Sequence, residues 1–191
     1  MADRTQLYHS GCLTDGWRLF GAHPATEGDV HGWWFNVWAP HARAVSVVGD
    51  FNGWDPEETP LAPKGEFWQG FVPDLPVYTS YKYAVTGPDG QTVLKADPFA
   101  AHCETGPATA SKVWALEGYV WHDRSYLRRR AARDVYRAPM SIYEVHLGSW
   151  RRPETGLPWY RSVADELADY CRTMHYTHVE LLPVTEYPYE G

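Results

Sequence analysis

The 191-residue sequence has no apolar run of about eighteen residues, the length that a membrane-spanning helix needs. Its first ten residues contain no apolar stretch of the kind found in a secretory leader. Only three cysteines are present, Cys12, Cys103 and Cys171, and their wide, irregular spacing suits neither a disulfide framework nor a zinc site. These absences predict a cytoplasmic protein with reduced thiols, no membrane partner, no metal and no cofactor.

Positive charge is also scarce, because 17 basic residues face 24 acidic ones and the formal net charge is −7. Proteins that bind a nucleic-acid backbone need a net basic face, so nucleic acid is excluded as a partner. The basic residues are nevertheless concentrated in one place, with six arginines in residues 123–137. This segment is predicted to be a solvated helix or linker, and a contact with a glycan or a partner is the alternative.

Aromatic residues are abundant, at 15% of the chain with ten tryptophans and thirteen tyrosines. Aromatic rings fill the cores of β-sandwiches, and their apolar faces also match the C–H faces of sugar rings. The composition therefore favours both a β-rich core and a carbohydrate ligand, and it does not separate the two.

The first two thirds of the chain have the pattern of short antiparallel strands. Tyr81 and Tyr83 alternate with Lys82 at the period of a half-buried strand, which predicts that Lys82 faces outward. The sequence Gly-Pro-Asp-Gly at residues 87–90 predicts a hairpin turn. We predict a β-sandwich over residues 15–116, with strands at 33–39, 44–48, 66–72, 77–85 and 91–95, and with most of the surface of Trp33, Trp34, Trp38 and Trp68 in the core.

The pattern changes after Pro139. Short apolar runs at residues 141–147 and 179–184 flank a segment, 163–174, whose apolar residues recur at helical spacing. This is one βαβ unit, which cannot form a stable sheet by itself because parallel strands need neighbours and covering helices. The sequence thus predicts an N-terminal extension (1–14), the sandwich (15–116), a basic linker (117–140) and the start of a truncated domain (141–191).

Two stretches resemble a known family. Residues 33–55, which end in VSVVGDFNGWD, resemble the glycogen-binding-type sandwich that precedes the barrel in branching enzymes, isoamylases and pullulanases. Residues 142–152, IYEVHLGSWRR, and 176–186, YTHVELLPVTE, resemble the first two barrel strands of glycogen branching enzymes of the α-amylase superfamily. The resemblance implies an early-set, immunoglobulin-like β-sandwich of the glycan-binding type, followed by the first βαβ unit of an incomplete (β/α)8 barrel.

The resemblance also implies an activity. Glycogen branching enzymes are retaining glycosyltransferases that cut α-1,4-glucan and form α-1,6 branches, which requires two carboxyl groups about 5 Å apart. In the family, these carboxyl groups lie on later barrel strands, so this chain has no catalytic residues and is expected to be inactive alone. The implied partners are glycogen, starch or malto-oligosaccharides and the missing remainder of the barrel. The alternative hypothesis is a stand-alone, non-catalytic module that binds glycogen or starch.

Trp54 is the strongest candidate for glycan binding, because it is a large aromatic residue at the tip of a glycine-containing loop, residues 50–53. By resemblance, glycogen-binding sandwiches use a tryptophan at this position and a lysine that matches Lys82. They also carry a second aromatic residue after the hairpin turn, where this chain has Gln91 and Thr92. The alternative is that Trp54 packs as a structural residue.

Other polar residues are weaker candidates. Glu144 and Glu180 fall in the middle of the predicted barrel strands, whereas active sites of such barrels lie at the strand ends, so structural hydrogen bonding is predicted for them. His175 and His178 straddle a helix end without a third ligand nearby, which excludes a zinc site. His146 ends the first strand and fits either the mouth of a complete barrel or an interior position. By resemblance, His175 also stands where a glycine normally ends the first barrel helix.

Overall fold

The computed structural model describes residues 4–151 and 159–184. Residues 1–3 of the predicted extension and residues 152–158 and 185–191 of the predicted barrel start lie outside this description. The chain divides into two compact units, the first ending at Tyr119 and the second beginning at Val120. The first unit contains α1 (Arg4–His9), β1 (Gly21–Glu27), β2 (Val30–Trp38), β3 (Ala44–Gly49), β4 (Ala62–Lys64), β5 (Phe67–Pro73), β6 (Ser80–Thr86), β7 (Thr92–Lys95), β8 (His102–Cys103) and β9 (Ser111–Lys112). The second contains α2 (Arg124–Ala131), β10 (Ile142–Val145), α3 (Leu147–Trp150), α4 (Trp159–Thr173) and β11 (His178–Leu181).

The first unit is a sandwich of two antiparallel sheets, as predicted. One sheet has the order β1-β2-β5-β4, and the other has the order β3-β6-β9-β8 with β7 also paired to β6. The five predicted strands are confirmed to within a few residues. Strand β1 escaped prediction because it has few β-branched residues and contains Pro24, which is tolerated because β1 lies at the edge of its sheet.

The prediction for the four strand tryptophans is wrong for two of them. Trp33 and Trp68 are only 4% and 9% exposed, and both belong to the core between the sheets. Trp34 and Trp38 are 37% and 43% exposed, because alternate residues of a strand point to opposite faces of the sheet. The ring of Tyr8, from α1, lies 5.6 Å from the ring of Trp38, so the N-terminal helix covers part of this outer face.

A buried carboxylate joins β6 to the segment after β7. Asp97 is 5% exposed, and its Oδ2 accepts hydrogen bonds from the hydroxyls of Tyr81 at 2.6 Å and Tyr83 at 3.1 Å. Its Oδ1 accepts a third from the backbone N–H of Phe99 at 2.8 Å, and its own N–H donates to Ser111 Oγ at 2.8 Å. Burial raises the pKa of Asp97 above its ordinary 3.8, although the hydrogen bond from Tyr81 opposes this shift. Burial and the neighbouring Asp97 also raise the pKa of both tyrosines, so the hydroxyls stay protonated at neutral pH.

The second unit contains a βαβ arrangement. Strands β10 and β11 pair in parallel, from Ile142 with His178 to Val145 with Leu181, and α4 lies between them in the chain. The helix begins at Trp159, four residues before the predicted start, and ends one residue before the predicted end. Residues 124–131 of the basic segment form the helix α2, so the helical alternative is confirmed for this part of the segment.

The C-terminal end of α4 has a non-glycine residue in a conformation that favours glycine. The N–H of Tyr176 donates to the carbonyl of Cys171 at 2.9 Å, and the N–H of His175 donates to that of Arg172 at 3.3 Å, which is the Schellman arrangement. His175 has a φ of 61°, in the left-handed region. A residue with a Cβ atom is strained there, as expected for a position that the resemblance assigns to glycine.

Replacing His175 by glycine should therefore stabilise the end of α4 by about 1 kcal/mol. The measurement is amide hydrogen exchange of Tyr176, whose N–H closes the cap, in the wild type and in His175→Gly. The control His175→Ala keeps the Cβ atom and should give no gain. Equal exchange rates in the wild type and His175→Gly would show that the histidine is not strained.

Candidate glycan-binding site

The loop after β3 holds Trp54 in an unusual backbone conformation. The chain leaves β3 through a short 3-10 turn, Asp50–Asn52, and then places two consecutive residues in the left-handed region. Gly53 has a φ of 63° and Trp54 a φ of 62°. This region costs a bulky residue about 1 to 2 kcal/mol, and such strain persists only where neighbouring contacts impose it.

The side chain of Asn52 imposes this loop conformation. Its Oδ1 accepts a hydrogen bond from the N–H of Gly49 at 2.9 Å, and its Nδ2 donates to the carbonyl of Val47 and to Thr59 Oγ1, both at 2.9 Å. The N–H of Trp54 also donates to the carbonyl of Gly49 at 2.9 Å. Three hydrogen bonds thus tie the loop to the end of β3, and a fourth ties it to Thr59.

A further hydrogen bond orients the indole of Trp54. Its Nε1 donates to Oδ1 of the exposed Asp50 at 2.7 Å, and the side chain is half-buried. An aromatic side chain that is already fixed loses little conformational entropy when a ligand covers it. The structure therefore holds Trp54 as a pre-oriented aromatic surface at the tip of the loop.

Lys82 lies on the outer face of the second sheet, as predicted. Its neighbours Tyr81 and Tyr83 point into the core, so Lys82 points the other way. Its Nζ donates to Thr109 Oγ1 at 2.7 Å, which leaves further donors on the ammonium group. Lys82 pairs with Val48, the residue before the end of β3, so the structure brings it to the same end of the β3–β6 pair as the loop of Trp54.

The register of β7 adds residues to the face that carries Lys82. Thr92 pairs with Thr86 and Leu94 pairs with Ala84, so both lie on the same side of the sheet as Lys82. Thr92 is exposed and its Oγ1 lies 2.8 Å from Thr86 Oγ1, while Leu94 is a half-exposed apolar residue. The sequence analysis missed Leu94, although its position two residues after Thr92 in a predicted strand indicates that both face the same side. It also missed Asp50 and Thr109, because their contacts with Trp54 and Lys82 depend on loop geometry.

The remaining candidates do not form a site in the described part of the chain. Glu144 and Glu180 are register partners on β10 and β11, and both are exposed. Neither side-chain carboxylate has a hydrogen-bond partner among residues 4–151 and 159–184, so the predicted structural hydrogen bonding by these side chains is not found there. His146 is exposed, with its Nδ1 3.1 Å from Ser149 Oγ. His175 and His178 belong to no group of three or more metal-ligating residues within these ranges.

No helix among the described residues is both long and apolar enough to cross a bilayer. None of the three cysteines forms a disulfide, and Cys12 is exposed whereas Cys171 is buried.

The class of the first unit follows from its fold and from a family match. Residues 19–100 match the family Carbohydrate-binding module 48 (Isoamylase N-terminal domain), and this range includes Trp54, Lys82, Thr92 and Leu94. The sandwich therefore resembles the carbohydrate-binding modules of this family in sequence and in fold, as predicted for the first domain.

Comparison with individual protein sequences gives a more specific relationship than the family match does. The chain is 50% identical over 181 residues to the 1,4-alpha-glucan branching enzyme GlgB of Nocardia farcinica and 40% identical over 193 residues to that of Bacillus cytotoxicus. These matches cover 92% and 100% of the chain, but the chain spans only 24% and 30% of the two relatives. The predicted relationship is confirmed: this chain is a relative of the glycogen branching enzymes.

Two solved structures share the fold. The catalytic module of SpuA, a glycogen-degrading pneumococcal virulence factor, aligns with a TM-score of 0.59 at 20% identity, over 91% of this chain and 29% of the module. A putative alpha amylase from Salmonella typhimurium aligns with a TM-score of 0.57 at 20% identity, over 88% and 25% of the two chains. At this identity the alignments establish a shared fold and nothing about activity.

Proposed function

We propose that this chain is the N-terminal part of a cytoplasmic 1,4-α-glucan branching enzyme, in which the sandwich binds α-glucan through Trp54 and Lys82. The observation that carries the proposal is the conformation of Trp54. Trp54 is held at positive φ and its indole is oriented by Asp50, and residues with strained backbone conformations cluster at ligand-binding sites. An exposed loop that keeps such a residue fits a binding role.

The expected affinity is low, because the site offers one aromatic face. An indole that covers a sugar ring removes about 50 to 80 Å² of apolar surface, which is worth about 1 to 2 kcal/mol. A hydrogen bond from Lys82 to a sugar hydroxyl adds about 1 kcal/mol. Since a millimolar complex needs about 4 kcal/mol, malto-oligosaccharides should bind at millimolar concentration or more weakly. A branched polymer could bind more strongly through several chains at once.

We assign residues 141–191 to the start of a (β/α)8 barrel, and the parallel pairing of β10 and β11 around α4 supports this assignment. The branching reaction needs two carboxyl groups at the carboxyl ends of barrel strands. Glu144 and Glu180 lie within their strands, so neither is suited to that role. The chemistry would come from a longer protein of the relatives' size, and the chain alone would bind glucan without branching it.

Titrating maltoheptaose into the 191-residue chain tests the binding role, with an isomeric β-1,4-linked oligosaccharide as the control. We expect saturation at millimolar maltoheptaose and none with the β-linked sugar. Thr92→Trp should strengthen binding about tenfold, because Thr92 shares a face with Lys82 and a second indole is worth about 1 to 2 kcal/mol. Equal binding of both sugars, or no effect of Thr92→Trp, would place the binding surface elsewhere.

A further inference from the structure

The second unit contains a cavity of about 380 Å³ with a strongly basic wall. Helix α2 provides one side of the cavity, the following segment provides another, and Thr177 together with the first residue of β11, His178, completes it. The lining residues are Tyr126, Arg129, Arg130, Arg133, Val135, Ala138, Pro139, Met140, Thr177 and His178.

Three arginines, Arg129, Arg130 and Arg133, line this wall. Arg129 and Arg130 lie in the last turn of α2, Arg133 follows two residues after the end of the helix, and all three side chains are exposed. Among the described residues none of the three guanidinium groups makes an ion pair or a hydrogen bond. By contrast, Arg137 pairs with Asp134 at 3.5 Å. Likewise, Arg151 pairs with Glu166 and Arg172 with Asp169, both at 2.9 Å.

A cluster of unpaired guanidinium groups is unexpected in a chain with a formal charge of −7. Like charges that line one cavity repel each other, and the repulsion is relieved when an anion binds between them. Guanidinium groups match phosphate oxygens with two parallel hydrogen bonds each, which is the geometry that favours arginine over lysine at phosphate sites.

We propose that this cavity binds a small organic phosphate, of the class of a hexose monophosphate. The arginines would hold the phosphate, while the hydroxyl of Tyr126 and the apolar side chains of Pro139 and Met140 would contact the organic part. The volume is near the lower end of the range of about 300 to 1,000 Å³ that is typical of small-molecule sites. The site shares no residue with the glucan surface of Trp54 and Lys82, so it goes beyond the proposed function and does not depend on it.

The test uses glucose 6-phosphate as the probe, with the complete 191-residue chain at fixed ionic strength and calorimetric or NMR titration. The test variant is Arg129→Gln with Arg133→Gln. The matched control is Arg124→Gln with Arg128→Gln, which removes the same charge from positions of α2 that do not line the cavity. Circular dichroism verifies that both variants keep the helix content of the wild type.

We expect saturable binding that the test variant weakens at least tenfold and the control less than twofold. Glucose should not bind, and inorganic phosphate should bind more weakly than glucose 6-phosphate. Equal losses in the two variants would mean that only overall charge matters, which overturns the proposal. It is also overturned if inorganic phosphate binds as tightly as the sugar phosphate, or if an acidic peptide competes at lower concentration than glucose 6-phosphate.

Discussion

Replacing Asp97 by alanine should lower the free energy of unfolding of the sandwich by about 3 to 5 kcal/mol. The substitution leaves the buried hydroxyls of Tyr81 and Tyr83 and the N–H of Phe99 without their acceptor, and each unsatisfied buried group costs about 1 to 3 kcal/mol. Urea unfolding followed by tryptophan fluorescence measures the loss. Asp89→Ala is the control, because Asp89 is an exposed turn residue and should change stability far less. A loss below 1 kcal/mol for Asp97→Ala would show that water replaces the carboxylate.

The same carboxylate should make stability depend on pH. Because burial raises the pKa of Asp97 in the folded state, the folded protein binds the proton more tightly than the unfolded chain. The contribution of Asp97 is therefore fully present below its ordinary pKa of 3.8, and it is lost as the pH rises through the raised value. Asp97→Asn removes this titration, so the stability of the wild type relative to Asp97→Asn should fall as the pH increases from 3.8 toward neutrality. A difference that rises with pH would mean that the hydrogen bonds outweigh burial.

Replacing Trp54 by alanine should abolish measurable binding of maltoheptaose. Removing about 1 to 2 kcal/mol from a complex of about 4 kcal/mol moves the dissociation constant from millimolar to tens of millimolar. Titration of the wild type and the variant under identical conditions measures the change. Trp17→Ala is the matched control, because Trp17 is an exposed tryptophan of the same unit outside the loop and its loss should leave binding unchanged.

The variant Trp54→Gly distinguishes the contribution of the indole to binding from the cost of the left-handed backbone conformation to stability. Glycine accepts the left-handed conformation without cost, so Trp54→Gly should be more stable than Trp54→Ala by about 1 kcal/mol. Both variants should lose binding equally. If Trp54→Ala instead keeps the wild-type affinity and lowers stability by several kcal/mol, the indole is a structural residue.

The sequence alone was sufficient for features that depend on local chemistry. Alternation around Tyr81, Lys82 and Tyr83 predicted a strand with Lys82 outside, because side chains of a strand alternate between faces whatever the fold. The turn at residues 87–90 also depends on local backbone preferences, and the hydrogen bond from Gly90 to Gly87 confirms it. The motif VSVVGDFNGWD identified the loop of Trp54 as a candidate binding site. The same residues also indicated the family relationship.

Only the tertiary structure decided which groups meet across long stretches of sequence. Trp33 and Trp34 are adjacent and chemically identical, and only the packing of one sheet against the other buries the first and exposes the second. Asp97 is an unremarkable residue before a proline until the fold places it against two buried tyrosine hydroxyls. The sequence predicts only a solvated helix or linker for the arginine-rich segment. The cavity that its arginines line also needs Thr177 and His178, which are distant in the sequence. Local sequence carries secondary structure because backbone preferences are local, whereas burial, pKa shifts and cavities depend on distant neighbours that the chain acquires only when it folds.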